Sequence, residues 1–206
     1  MKHTQIFSAL VLLLLVTGCA QVYHSPNAER IASRHRVIAI VPPKVNLQPV
    51  KHIDAETLRE QQRTEALNIQ QEMYSWVLRR KTQGKFYVTV QDIETTNALL
   101  RKAGFTEDNP PTPAEMCRVL DVDGVMTSTF SLSKPMSTGA AIAIGVLSGF
   151  WGPTNDATAS VEIHDARTET LIWHFNHEIT GGVGSSYTRL VEQLMRRASR
   201  KMPYKR

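Results

Sequence analysis

The sequence predicts an α/β (α+β) fold, a two-layer mixed sheet of about five strands with helices on one or both faces. Three observations predict it: a β-branched run at residues 37–41, a helical pattern after Asp54, and two alternating segments joined by a polar loop at residues 165–169. Alternating strand-like and helix-like segments are typical of two packed layers. With 206 residues, 42% hydrophobic and 21% charged, the chain has the composition of a globular protein.

The first half of the predicted domain contains a strand followed by a long helix. Residues 37–41 form a continuous apolar run that ends at Pro42, which is typical of a strand buried on both faces. Asp54 is placed to cap a long helix, and the basic residues 79–81 suit the negative end of its dipole. Gly84 is expected to end this helix.

The remaining predicted strands lie in the second half of the chain. Residues 86–90 alternate, residues 125–132 form a third strand, and residues 158–163 and 171–176 read as a hairpin. Such a hairpin adds two antiparallel strands to the sheet.

Three shorter helices are predicted beside these strands. Asp92 starts one helix, and residues 112–115 give another an N-cap, a proline and an acid in its first turn. The last helix begins near Ser185. Cys117 lies in the helix that starts at residues 112–115. A buried thiol is the simpler interpretation there, and no neighbouring base indicates a redox role.

The first 18 residues follow the plan of a bacterial export signal. Lys2 gives a basic start, residues 6–16 are apolar, and Gly18 precedes Cys19. The apolar run is too short for a permanent membrane helix. Residues 16–19 resemble a lipobox, which implies cleavage between Gly18 and Cys19; the alternative is an ordinary leader that contains a cysteine.

Lipidation of Cys19 would give the chain its membrane anchor. The resemblance implies a diacylglycerol and an N-acyl chain on Cys19, and no other cofactor; several acyl chains anchor stably. Ala20, rather than an aspartate, then implies the outer membrane, with the protein facing the periplasm. We expect residues 19–35 to be a tether and residues 36–202 to form a single domain.

A charge-free, Gly- and Ala-rich insertion at residues 136–152 does not fit this fold. It is either a loop that packs on the domain or an exposed apolar element that meets a partner or lipid. A membrane-spanning insertion is a third alternative, although the segment is short for it. The contact residues would be Ile142, Ile144, Val146, Leu147, Phe150 and Trp151.

The C-terminal region is basic. Its cationic side chains either form a solvated helix face or contact anionic lipid, an acidic partner or glycan phosphates. The candidate anion contacts are Arg196, Arg197, Arg200 and Lys201.

The sequence contains no recognisable catalytic constellation. His174 and His177 are three apart on a predicted strand, so they face opposite ways and predict no metal site. Residues 181–186 are glycine-rich but lack the Lys-Ser/Thr ending of a phosphate loop. We therefore expect a protein that is not an enzyme.

Three segments carry a resemblance to a known group. Residues 36–43, 116–126 and 161–173 resemble the opening strand, the helix-then-strand segment and the hairpin of periplasmic lipoproteins related to the TolB N-terminal domain and the curli-secretion lipoprotein, and the order of elements resembles a putative lipoprotein family in that group. Glu169 departs from the usual glycine of that hairpin. Residues 136–152 are not paired amphipathic spanning strands, which puts pore formation in doubt.

The resemblance implies a non-enzymatic role in the cell envelope. The leading hypothesis is an outer-membrane lipoprotein that binds another envelope protein and helps to assemble or activate it. The alternatives are an oligomeric secretion or transport accessory and, less favoured, an envelope hydrolase. The implied partners are the lipid bilayer, an envelope protein and further copies of the chain, but not nucleic acid.

Overall fold

The computed structural model describes residues 21–48, 54–105, 110–132, 155–181 and 187–206. Within them the chain forms seven strands: β1 (Gln21–His24), β2 (Val37–Ile40), β3 (Lys44–Leu47), β4 (Thr89–Val90), β5 (Gly124–Leu132), β6 (Asn155–Asp165) and β7 (Leu171–Gly181). The same residues contain five helices: α1 (Ala28–Ala32), α2 (Ala55–Thr82), α3 (Ile93–Lys102), α4 (Pro113–Leu120) and α5 (Tyr187–Ala198).

The strands form one mixed sheet in the order β1-β7-β6-β5-β2-β4, with β3 also pairing with β5. β2 is parallel to both β4 and β5, whereas β5, β6, β7 and β1 are antiparallel in succession. Because β2 lies inside the sheet, its apolar run is buried on both faces. The predicted fold class is confirmed, and the described part of the sheet has two strands more than the expected five.

Helices pack on both faces of this sheet. Ile38, Ile40 and Met126 face the larger core, which contains α1, α2 and α5. Ala39 and Val125, one position along each strand, face a smaller core with α3 and α4. Successive side chains of a strand alternate in direction, so the two cores follow directly from the pleat.

The predicted helix starts are present as hydrogen-bonded caps. The Asp54 carboxylate accepts from the backbone N–H of Thr57 at 2.9 Å. Thr112 and Glu115 form a reciprocal capping box at the start of α4. No helix in the described ranges is both long and apolar enough to cross a bilayer.

The tether expected at residues 19–35 is wrong for its described part. β1 pairs with β7, placing Gln21 opposite Asn176, and both Ala28 and Ala32 of α1 are buried. The folded unit therefore starts before residue 36, and it extends beyond residue 202, because Tyr204 is fully buried. The sequence does not predict β1 and α1, because such short elements contain too few apolar residues to show a periodic pattern.

The other difference concerns residues 86–90. Only Thr89 and Val90 pair with β2, while Phe86 forms an isolated antiparallel bridge with Lys205. Phe86 and Val88 are nevertheless buried in the larger core, as their alternation predicted. The residues around Lys205 thus lie beside the segment that leads into β4.

Candidate functional site: a basic groove between two helices

The residues predicted for lipidation and apolar contact cannot be placed. Gly18, Cys19 and the insertion at residues 136–152 lie outside the described residues. Of the predicted anion contacts, Arg196 and Arg200 line a groove of about 330 Å³ between the C-terminal parts of α2 and α5. We call this the basic groove; it is lined by Trp76, Arg79, Arg80, Gln83, Lys85, Glu192, Arg196 and Arg200.

The other two predicted anion contacts do not line the groove. Arg197 acts on His177 of β7: burial first, and then the positive charge of Arg197, lower the pKa of that histidine. Lys201 is exposed just beyond α5. The four residues predicted as one basic cluster therefore do not lie together, because only Arg196 and Arg200 line the groove.

The floor of the groove is aromatic and already covered. Trp76 is only 4% exposed and packs edge-on against Phe86, with ring centroids 6.2 Å apart. The Arg80 guanidinium carbon lies 4.6 Å from the centre of the Trp76 ring, a cation–π contact. Ligands entering the groove would therefore meet charged groups before they met the indole.

The walls of the groove are held by contacts within α5 and by the residues that follow it. Arg196 is paired with Glu192 one turn earlier on α5. Lys205 donates from Nζ to the backbone oxygen of Arg200 at 2.6 Å, and the backbone N–H of Arg206 donates to the oxygen of Lys85 at 3.2 Å. These contacts fix the backbone from which Arg200 and Lys85 project.

Part of this positive charge has an ordinary explanation. Arg79 and Arg80 lie in the last turn of α2 and Arg196 in the last turn of α5, where cations favour the helix dipole. Lys81, in the same turn of α2, points elsewhere and donates to the backbone oxygens of Tyr87 and Val88 at 3.3 and 3.2 Å. The charge in the groove is thus only partly a consequence of helix ends.

A second polar feature is a buried cluster that sequence reasoning missed. His35 Nδ1 lies 2.8 Å from the hydroxyl oxygen of Tyr204, and His35 Nε2 lies 2.8 Å from Oδ1 of Asp165. The other carboxylate oxygen of Asp165 accepts from the backbone N–H and the hydroxyl of Thr168, both at 2.6 Å. We call His35, Asp165 and Tyr204 the buried cluster.

The ionisation of this cluster is set by its surroundings. Burial opposes ionisation of Asp165, but the hydrogen bonds from Thr168 and His35 outweigh it and lower the pKa of the carboxyl. Burial raises the pKa of Tyr204 well above its usual value, and repulsion between an ionised Tyr204 and nearby acidic groups, Tyr87 and Asp165 first, raises it further. The cluster therefore pairs an ionised Asp165 with a neutral phenol.

The geometry of the buried cluster suits a structural role. The His35 side chain is 2% exposed, and one edge of its ring lies against the backbone of Gly124. A Cβ atom at position 124 would lie 2.8 Å from Cε1 of His35. The histidine–aspartate pair resembles two of the three members of a catalytic triad. The ring is nevertheless packed against β5 and joins a segment before β2, the last residue of β6 and a segment after α5.

A third polar feature lies on the opposite face of the sheet. The carboxylate of Glu162 is 3.0 Å from Nε2 of His164 and 3.1 Å from Nδ1 of His174. We call these three residues the surface cluster. Burial opposes ionisation of Glu162, but the hydrogen bonds and charges of both histidines outweigh it and lower the pKa. Thr127 and Tyr23 flank the cluster in register on β5 and β1.

The two histidines weighed as a metal pair have separate environments. His174 bonds to Glu162, whereas His177 packs near Phe175, with ring centroids 6.0 Å apart. Among the residues that the structure describes, no group of three or more His, Cys, Asp or Glu side chains is arranged to hold a metal ion.

Cys117 is a buried thiol of α4, 3% exposed. Burial, and then the negative charge of Asp165, raises its pKa to about 11. A thiol of this kind is protonated at neutral pH and therefore a poor nucleophile.

Comparisons with known proteins give likenesses of structure only. No family model and no curated protein matches the chain. It is similar to lipoprotein GNA1162 from Neisseria meningitidis, with 13% identity, a TM-score of 0.48 and coverage of 81% of this chain and 96% of the other. A PelC dodecamer from Paraburkholderia phytofirmans has 10% identity and a TM-score of 0.47, covering 92% of this chain and 100% of its own.

The C-terminal domain of LpoB from Salmonella enterica is also similar, with 9% identity, a TM-score of 0.37 and coverage of 75% and 96%. At these identities and TM-scores, none of the three assigns a family or a function to this chain. The resemblance noted from the sequence motifs remains a prediction.

Proposed function

We propose that this chain is a lipid-anchored protein of the bacterial outer membrane, facing the periplasm, and that its domain is a non-enzymatic module that binds an envelope protein. The observation that supports it is the pairing of β1 with β7. Gln21, opposite Asn176 of β7, is already part of the sheet, and it lies only two residues after Cys19. Cleavage between Gly18 and Cys19 would therefore keep every described element of the fold.

This placement also limits the distance between the domain and the membrane. Two residues reach about 7 Å even when fully extended. A domain anchored through Cys19 would lie against the lipid surface rather than at the end of a tether. A partner would then have to be in, or close to, the same membrane.

The partner is proposed to bind the polar face of β5, β6, β7 and β1. On this side of the sheet α3 and α4 form the smaller core, and α4 contacts the antiparallel strands at the end where β5 begins and β6 ends. Side chains such as Thr158 and Ser131, which are paired in register, are exposed there. Their polar character suits a partner that dissociates without exposing an apolar surface.

Metabolic labelling with a palmitate analogue tests the anchor, and the chain offers a matched control because it has a second cysteine. We expect Cys19→Ser to abolish the label and release the protein from the outer-membrane fraction. Cys117→Ser should keep both label and location. Label retained in Cys19→Ser would contradict the proposal.

Photo-cross-linking in intact cells tests the partner. A photoreactive residue at position 158, on the polar face, is expected to give a discrete adduct that disappears in the Cys19→Ser background. The control is position 67 of α2, where Leu67 is 44% exposed on the helical side. Equal adducts from both positions, or an adduct that does not need Cys19, would exclude the proposed face.

A further inference from the structure

The basic groove contains more cationic side chains than the contacts within the protein neutralise. Five of its eight lining residues are cationic and one, Glu192, is a carboxylate. Arg80 is engaged with Trp76 and Arg196 with Glu192. Within the described part of the chain, no ion pair joins Arg79, Lys85 or Arg200 to a carboxylate.

The convergence of these three residues is a product of tertiary structure. Arg79 projects from the last turn of α2, Lys85 follows Gly84, and Arg200 follows α5. Arg200 and Lys85 lie two and three residues beyond the last residue of their helices, so the attraction of a helix end for cations accounts for them only in part. Bringing like charges together costs free energy, which a bound anion would offset.

The chemistry of the groove favours a small multivalent anion. At about 330 Å³ its volume lies at the lower end of the range of small-molecule sites. Its one aromatic side chain is covered by Arg80, which leaves little apolar surface to anchor a peptide. Planar guanidinium groups match the oxygens of phosphate in a two-pronged geometry.

The groove is remote from the direction in which the chain enters the sheet. β1 runs antiparallel to β7, so the chain arrives from the side on which β7 ends. α5 starts after β7 and ends near Met202 and Tyr204, which close the opposite end of the sheet. The groove between the ends of α2 and α5 is thus turned away from that entry point.

We propose that the basic groove is a binding site for a phosphate-bearing ligand, a phosphomonoester or diphosphate group carried by an envelope sugar. Arg79 and Arg200 clamp the phosphate oxygens, and Lys85 supplies a third positive charge. This site is separate from the polar sheet face and does not depend on acylation of Cys19.

Calorimetric titration of the mature full chain in a neutral detergent with inorganic pyrophosphate tests the site. We expect binding that weakens steeply with added salt. The double variant Arg79→Gln/Arg200→Gln should lose at least about tenfold in affinity, since each lost guanidinium removes charge-assisted hydrogen bonds. The matched control is Arg101→Gln/Lys102→Gln, in the exposed last turn of α3, which should bind like the parent.

Two further probes identify the source of the phosphate. Phosphatidylcholine vesicles with a minority of phosphatidic acid present a lipid-borne phosphomonoester, and groove-dependent binding to them would contradict a sugar-borne ligand. Glucose 1-phosphate presents a sugar-borne one. Equal affinity of both double variants for pyrophosphate would overturn the proposal, provided that circular dichroism shows both folded. Groove-dependent binding of polyglutamate without binding of any phosphate probe would overturn it in favour of an acidic protein partner.

Discussion

The same pair of side chains, histidine and carboxylate, occurs on both faces of one sheet under different conditions. In the buried cluster the side chains of His35 and Asp165 are 2% and 5% exposed. In the surface cluster those of His174 and Glu162 are 30% and 35% exposed, although the atoms are almost as close. Water screens the surface pair, whereas a partner lost from the buried pair leaves a desolvated polar group. Burial, rather than distance, should decide what each pair contributes.

The largest effect is expected from Asp165→Ala. This change leaves His35 Nε2 and the Thr168 donors without their acceptor inside the protein. A buried donor left without an acceptor costs about 1–3 kcal/mol, and several are affected here, so we expect a loss of about 3 kcal/mol. Urea unfolding followed by circular dichroism measures the loss of free energy. A cost below about 1 kcal/mol would mean that burial adds nothing here.

The packing of Gly124 against His35 provides the next test. In Gly124→Ala the new Cβ would lie 2.8 Å from both Cε1 of His35 and the backbone oxygen of His164. A backbone atom must move to admit it, so we expect a loss of about 2 kcal/mol, the usual cost of overpacking. Ser33→Ala, exposed and just outside the cluster, should cost far less in the same denaturant series.

Tyr204→Phe removes a single hydroxyl from the buried cluster. Nδ1 of His35 then loses its hydrogen bond while the aromatic packing on Tyr87 is kept. A loss of about 1 kcal/mol is expected from one buried hydrogen bond. Tyr87→Phe is the control, because its hydroxyl makes only a 3.5 Å contact with Pro203. Equal losses in both variants would show that the hydrogen bond between Tyr204 and His35 adds no stability of its own.

Acid should reveal the same difference between the two clusters. The folded-state pKa values of Asp165 and Glu162 are both lowered, so each contributes stability above its unfolded pKa of about 4. That stability is lost as the pH falls through the lower folded value. Free energies of unfolding measured between pH 5 and the onset of acid unfolding should decline less in Asp165→Asn than in the parent, whereas Glu162→Gln should keep most of the parent's slope.

The smallest effect is expected from Glu162→Gln at neutral pH. Its contacts with His164 and His174 are half-exposed, and such pairs contribute under about 1 kcal/mol. Chemical denaturation at low and high salt measures it. A loss as large as that in Asp165→Ala would show that the polar face is covered in the folded protein.

The elements with local chemical signals were predictable from the sequence. The cap at Asp54, the box at Thr112 and Glu115, the run at residues 37–41 and the hairpin all depend on residues close together in the chain. β1, α1 and β3 were missed because four or five residues carry too little periodicity to predict an element.

The polar sites depend on contacts that no local pattern contains. The sequence places Arg196 and Arg200 in a basic tail, but their convergence with Arg79 and Lys85 requires the packing of α5 against α2. His35 gave no signal at all, since its partners lie 130 and 169 residues further along the chain. Cys117 was correctly interpreted as a buried thiol because it faces inward from a predictable helix.

The span of the buried cluster bears on how the protein acquires its structure. His35 acquires its phenol partner only when a residue 169 positions later is available, so a growing polypeptide cannot complete this contact until Tyr204 has emerged from the ribosome. Contacts of such high sequence separation form late and slow folding. Delayed closure of this kind would suit the export across a membrane that we propose for this chain.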